Sequence, residues 1–149
     1  MDTLMRGSIA GLIATIVYGV INWILFMLGV LPSTLTHYAA VFITPPGTAI
    51  STLPLFLGVV SNIMAGSFAG VILTYLLKWT GYDYAFIKGI GISLVFWPVH
   101  TTFFPTLIGP RLYETLSPIM VLSTLVLSIL WGIVTVLVLQ SPICNKTHD

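Results

Sequence analysis

His100 is the residue of this sequence best suited to chemistry, because it lies well inside a long apolar segment. Tyrosine aside, the other titratable residues fall at the ends of such segments or between them. A histidine side chain donates and accepts hydrogen bonds, transfers protons and binds metals. Burying an ionisable group in apolar surroundings is costly, so its presence there indicates either a site or a specific hydrogen bond.

Other residues with polar groups accompany His100 at helical spacing. They are Tyr18 and Asn22 in the first apolar segment, Asn62 in the second, and the neighbouring Trp97. At about 1.5 Å per residue, His100 lies roughly 18 Å along its helix from Lys88. We therefore predict a ligand-binding pocket formed by His100, Trp97, Tyr18, Asn22 and Asn62. The alternative, which the sequence leaves open, is that a neutral His100 only fastens two helices together.

Catalytic and metal-site motifs are missing from the sequence. It has no GxSxG, HExxH or P-loop motif and no pair of carboxylates inside an apolar segment. A zinc site needs three or four ligands, and only His37 and Glu114 fall on the same side as His100. Cys144 is the single cysteine, which excludes a CxxC motif. We predict that the protein is not an enzyme and that it binds neither a metal nor a cofactor.

The composition requires a lipid environment. Only 6% of the 149 residues are charged, against about 25% in soluble domains. Hydrophobic residues make up 57%, and the mean hydropathy is +1.07. A small soluble domain keeps too much of its surface in water to hide this much apolar side chain. We predict a single all-α transmembrane domain over residues 1–149, with the lipid bilayer as partner. Its formal charge of +1, with no basic stripe, argues against nucleic acid.

Four apolar segments predict a bundle of four transmembrane helices. They cover about residues 5–31, 53–77, 84–104 and 118–140. Each reaches the roughly 20 residues that a helix needs to cross the hydrocarbon core.

The distribution of Lys and Arg predicts the orientation of these helices. The cations Arg6, Lys78, Lys88 and Lys146 fall on one side of the bundle, and only Arg111 falls on the other. Because Lys and Arg accumulate on the cytoplasmic side, we predict a multi-pass protein of the cell (inner) membrane with both termini cytoplasmic.

The first outer loop has two interpretations. Ser33 is placed to cap a short helix that runs through Phe42, with Leu35 and Ala39 on one face. Such a helix would lie in the membrane interface. The alternative is an ordinary apolar loop.

Small residues recur at helix-packing spacing in Gly7-x-x-x-Gly11 and Gly66-x-x-x-Gly70. This pattern brings helices close together in lipid. It serves contacts within one chain and contacts in a homodimer equally well, so both remain open, as does a membrane protein partner.

Several short motifs carry a resemblance to a known family. They are Arg6-Gly7 through Gly11, Gly89-Ile90-Gly91, Phe96-Trp97, Phe103-Phe104-Pro105, Gly109-Pro110 and Leu130-Trp131-Gly132. Over most of its length the chain resembles the YqhR-like small membrane proteins of Gram-positive, spore-forming bacteria. The resemblance implies a four-span membrane protein of unknown function and assigns no catalytic or binding residue.

From the residues themselves we predict a protein that binds a small or lipid-like ligand in the outer half of the bundle. The alternative is a structural or accessory subunit of a membrane complex with no ligand of its own.

Overall fold

The computed structural model describes residues 2–44, 50–103, 106 and 117–142, and the regular structure of these residues is helical throughout. The elements are α1 (Thr3–Met27), α2 (Leu35–Ile43), α3 (Thr52–Thr80), α4 (Ala85–Pro98) continued by a π-helical segment (Val99–Phe103), and α5 (Pro118–Gln140). The all-α class is thus confirmed for this part of the chain. The predictions that concern Arg111, Glu114, Cys144 and Lys146, and the motifs at 104–105 and 109–110, lie outside it.

Three helices are long and apolar enough to cross a membrane. They are α1 with 25 residues, α3 with 29 and α5 with 23, and their most apolar windows have mean hydropathies of 2.1, 1.9 and 2.5. Large apolar side chains point outward from them, and Phe56, Phe68 and Leu122 are each more than half exposed. Such side chains are stable against lipid rather than water, so the three helices indicate a membrane protein.

Two of these helices end elsewhere than the sequence predicts. α1 stops at Met27 instead of continuing to residue 31, because Gly29 follows with a φ of 72°. α3 runs past residue 77 to Thr80 and stops before Gly81, whose φ is 81°. Glycine adopts this left-handed conformation without steric cost and so ends a helix readily. α5 matches the predicted bounds of 118–140.

The third predicted span, residues 84–104, is a composite helix. The regular part, α4, has 14 residues, fewer than the roughly 20 that cross a bilayer. The chain continues without a break into the π-helical segment Val99–Phe103. Pro98 stands at the junction, where its missing N–H and its ring interrupt the regular pattern of hydrogen bonds.

The helices pack as two glycine-lined pairs, α1 with α3 and α4 with α5. The glycines of the two predicted motifs meet in the first pair: Gly7 and Gly11 on α1, Gly66 and Gly70 on α3. A Cβ atom added to Gly7 would lie only 2.6 Å from Val71 Cα. In the second pair, a Cβ on Gly89 would lie 2.8 Å from the carbonyl oxygen of Gly132. These motifs therefore serve packing within one chain.

The first loop contains a helix, α2, as one of the two interpretations predicted. Its N-cap is Thr34 rather than Ser33, and the Thr34 hydroxyl accepts a hydrogen bond from the His37 backbone N–H at 3.3 Å. The Ser33 hydroxyl instead donates to the sulfur of Met120 at 3.3 Å. α2 packs on α3 at Gly58, which leaves room for the α2 backbone.

The described cations gather at the end of the bundle opposite α2. Lys78 Nζ donates to Thr3 Oγ1 at 3.4 Å, which joins the end of α3 to the start of α1. Lys88 Nζ donates to the carbonyl oxygens of Thr80 and Gly81 at 3.1 and 2.8 Å. The bundle therefore has one basic end, with Arg6 in the second turn of α1, and one end covered by α2.

Candidate functional site

A cavity of about 380 Å³ lies in the half of the bundle next to α2. All five helices and the π-helical segment contribute to its wall. The wall is mainly apolar and includes Leu35, Phe96, Val99 and Trp131. Its polar groups come from Thr15, Tyr18, Tyr38, Ser61, Asn62, Ser93, His100 and Ser128.

The structure brings three of the five predicted ligand-binding residues together around this cavity. Tyr18, Asn62 and His100 line it, whereas Asn22 and Trp97 do not. Asn22 Oδ1 accepts a hydrogen bond from the Leu35 backbone N–H at 2.9 Å, and Trp97 Nε1 donates to Thr124 Oγ1 at 3.2 Å. Both of these side chains therefore join helices. A binding role for the five residues stays a prediction.

His100 is held by its own helix on one side. Its Nδ1 lies 3.0 Å from the carbonyl oxygen of Phe96. Because a carbonyl oxygen only accepts, Nδ1 carries the proton in this contact, and Nε2 of the neutral ring is then an acceptor. Nε2 is buried and has no hydrogen-bond partner among the residues that the structure describes. His100 lines the cavity, and its imidazole carries a buried acceptor that no described residue uses.

The hydroxyl group of Tyr38 holds the backbone at His100. Tyr38 lies on α2, and its hydroxyl donates to the backbone carbonyl oxygen of His100. The side chain is buried and also lines the cavity. α2 therefore both covers the cavity and positions the π-helical segment that carries His100.

Tyr18 supplies the second unused polar atom. Its side chain is only 7% exposed, and its hydroxyl has no hydrogen-bond partner within residues 2–44, 50–103, 106 and 117–142. A buried polar group left unpaired costs about 1–3 kcal/mol, and such groups are rare in native proteins. Two such atoms, Tyr18 Oη and His100 Nε2, therefore belong to residues that line one apolar cavity.

The wall of the cavity is incomplete along α3. Ser61 and Ala65 line the cavity and are also exposed on the molecular surface. α3 contacts α1 extensively but α4 only sparsely. We therefore place the opening of the cavity at the seam between α3 and α4, on the lateral surface of the bundle.

Two large cavity residues, Tyr38 and Trp131, were absent from the predicted pocket. Trp131 Nε1 donates to Thr15 Oγ1 at 3.0 Å, which joins α5 to α1 at the cavity wall. The signal for Tyr38 was its spacing, since it falls three residues after Leu35 on the short helix of one of the two interpretations of the first loop. No spacing rule separates Trp131 from the other apolar residues of α5.

Metal-binding residues do not cluster in the part of the chain that the structure describes, where no three His, Cys, Asp or Glu side chains meet. His37 lies outside the cavity wall, with Nδ1 2.8 Å from Thr34 Oγ1 and its ring 5.9 Å from that of Phe26. The expectation that no metal is bound stays a prediction.

Comparisons with protein-family models, with curated proteins and with solved structures find no match to this chain. The resemblance to the YqhR-like proteins therefore stays a prediction.

Proposed function

We propose that this chain is a non-enzymatic integral membrane protein that binds a small, lipid-like ligand in the cavity beside α2. The observation that supports this is the combination of an apolar cavity of about 380 Å³ with two unpartnered polar atoms, Tyr18 Oη and His100 Nε2. Ligand pockets of about 300–1,000 Å³ have this character, with mostly apolar walls and a few polar groups that orient the ligand.

We further propose four spans, with α4 and its π-helical continuation as the third and with both termini in the cytoplasm. The basic end formed by Arg6, Lys78 and Lys88 supports this orientation, because Lys and Arg accumulate on the cytoplasmic side. The cavity then lies in the outer half of a cell membrane, and α2 lies at the outer interface. A four-span bacterial membrane protein is also what the YqhR-like resemblance implies.

Native mass spectrometry of the protein released from mild detergent tests the ligand. The wild type is compared with Ala65→Trp, which places an indole in the cavity wall, and with Val59→Trp. Val59 is 43% exposed on the same helix and does not line the cavity, so it is the matched control. We expect a discrete bound mass in the wild type and in Val59→Trp that is lost in Ala65→Trp.

The result that contradicts the proposal is equally definite. If the mass spectra of all three proteins show no added mass, or show the same set of bilayer phospholipids, the cavity holds no ligand of its own. The same spectra distinguish a monomer from a homodimer.

A second candidate function, an accessory subunit of a membrane complex, has one observation in its favour. Asn22 and Trp97, two of the predicted binding residues, are used to join helices. Interhelical hydrogen bonds of this kind stabilise bundles without any ligand. This candidate predicts that a membrane protein co-purifies with the chain and that Ala65→Trp alters no bound mass.

A further inference from the structure

The polar atoms of the cavity specify the head group of the ligand, an inference that rests on the proposed function. His100 Nε2 is an acceptor, because Nδ1 donates to the Phe96 carbonyl oxygen at 3.0 Å. The Tyr18 hydroxyl both donates and accepts. Neither atom has a partner among the described residues, so a matching ligand must bring a donor for His100 and an acceptor or donor for Tyr18.

The charges of the described residues disfavour an ionised head group. The described residues that line the cavity include no Lys, Arg, Asp or Glu. Within the described ranges, all formally charged side chains lie at the other end of the bundle: Asp2, Arg6, Lys78, Asp83 and Lys88. A carboxylate, phosphate or ammonium group placed beside His100 would therefore lose its hydration without gaining a counter-charge there, which is strongly unfavourable.

We propose that the ligand is an uncharged, long-chain or ring alcohol whose hydroxyl group donates a hydrogen bond to His100 Nε2 and accepts one from the Tyr18 hydroxyl. A hydroxyl group is the smallest group that can satisfy both atoms, since it has one donor and two lone pairs. Both atoms are buried, so the His100 and Tyr18 side chains must turn toward the hydroxyl group when it binds. An ester or ether oxygen only accepts and leaves Nε2 unpaired, and an alkyl end leaves both atoms unpaired. The apolar part of the alcohol packs on Leu35, Phe96 and Val99 and leaves the cavity through the seam between α3 and α4.

Photolabelling with three chain-matched probes tests this head group. The probes share a dodecyl chain that carries a diazirine and differ only at the end, which is a hydroxyl, a carboxylate or a methyl group. Delipidated protein in mild detergent is labelled with each probe, and the labelled residues are located by mass spectrometry. We expect the hydroxyl probe to label the cavity wall about tenfold more than the methyl probe, with the carboxylate probe the weakest.

Variants separate binding from folding. Tyr18→Phe removes one oxygen and keeps the ring, and we expect it to lower the hydroxyl-to-methyl ratio several-fold, while Tyr82→Phe at the basic end leaves the ratio unchanged. His100→Asn keeps a donor for the Phe96 carbonyl oxygen but loses the acceptor at the position of Nε2, so the ratio should fall. His100→Gln keeps a polar oxygen near that position and should retain much of the ratio. If His100 is purely structural, the ratio should be equal in the wild type and in both His100 variants.

Each outcome bears on a different claim. Equal labelling of the cavity by the three probes, or preference for the carboxylate, overturns the alcohol assignment and leaves a lipid-binding cavity. Failure of every probe to label cavity residues overturns the proposed function as well. The wild-type ratio alone decides between these outcomes, even if a His100 variant fails to fold.

Discussion

The side-chain oxygen of Asn22 accepts a hydrogen bond from the backbone N–H of Leu35 at 2.9 Å, and this contact joins α1 to the first turn of α2. The first backbone N–H groups of a helix lack partners within the helix itself. Asn22, which is 2% exposed, therefore caps a helix from another part of the chain. The cover of the cavity is thus attached to the bundle by a buried amide side chain.

Asn22→Ala should loosen α2. Loss of a capping contact costs about 1 kcal/mol, and the freed Leu35 N–H stays in poorly hydrated surroundings. We expect a lower free energy of unfolding in an SDS titration followed by circular dichroism, together with faster hydrogen exchange across Leu35–Ile43. Asn62→Ala is the control, because Asn62 lines the cavity and its side chain makes no hydrogen bond to the described residues. Equal exchange in both variants would contradict the capping role.

Alanine substitution of two glycines should change stability with opposite signs. In Gly11→Ala the new methyl group meets the α3 backbone at Gly66 and Ser67, and forcing the pair apart costs about 2 kcal/mol. Gly91 has nothing within 4 Å of a Cβ position, so Gly91→Ala should gain up to about 1 kcal/mol through helix propensity. Thermal unfolding in detergent measures both. A loss of stability in Gly91→Ala comparable to that in Gly11→Ala would show that the α1–α3 contact is not the cause.

Pro98→Ala should weaken ligand binding without lowering the stability of the protein. Alanine restores the backbone donor, so α4 can continue as a regular helix and turn His100 away from its present direction. We expect an unchanged or higher unfolding temperature but weaker labelling of the cavity by the hydroxyl probe. Pro118→Ala is the control, because Pro118 opens α5, where proline is well tolerated. Unchanged labelling in Pro98→Ala would mean that the π-helical segment forms without the proline.

Cysteine labelling in cells tests the proposed orientation. In a Cys144→Ser background, Pro32→Cys next to α2 should react with a membrane-impermeant maleimide in intact spheroplasts. Asp83→Cys, in the turn between α3 and α4, should react only after the membrane is permeabilised. The reverse pattern would invert the bundle and place the cavity in the cytoplasmic half of the membrane.

The long helices could be predicted from the sequence because their boundary signals are local. Ser117 and Pro118 open α5, and the helix occupies the predicted residues. The end of α1 was predicted at residue 31 because apolar residues continue beyond Gly29, but the left-handed backbone of that glycine stops the helix at Met27. A proline at residue 98 indicates an interruption of the third helix, but its presence does not predict that the helix continues with π-helical hydrogen bonds. That choice depends on contacts such as the one between Tyr38 and His100, which are distant in sequence.

The candidate site was only partly predictable for a similar reason. Tyr18 and Asn22 belong to the same polar stripe of α1, yet one lines the cavity and the other caps α2. Helical spacing places side chains on a face but does not distinguish packing from an open space. That distinction is set by α2, whose position depends on the glycine at residue 58 and on Tyr38.

For the proposed ligand, the lateral seam between α3 and α4 determines whether its concentration in the bilayer or in water sets the occupancy of the cavity. A ligand that enters along this seam arrives from the hydrocarbon phase rather than from bulk water. Its occupancy then follows its mole fraction in the bilayer, and a strongly partitioning alcohol reaches half-saturation at a total concentration that rises with the amount of lipid in the sample. Affinities for this cavity are therefore comparable between preparations only when expressed per lipid.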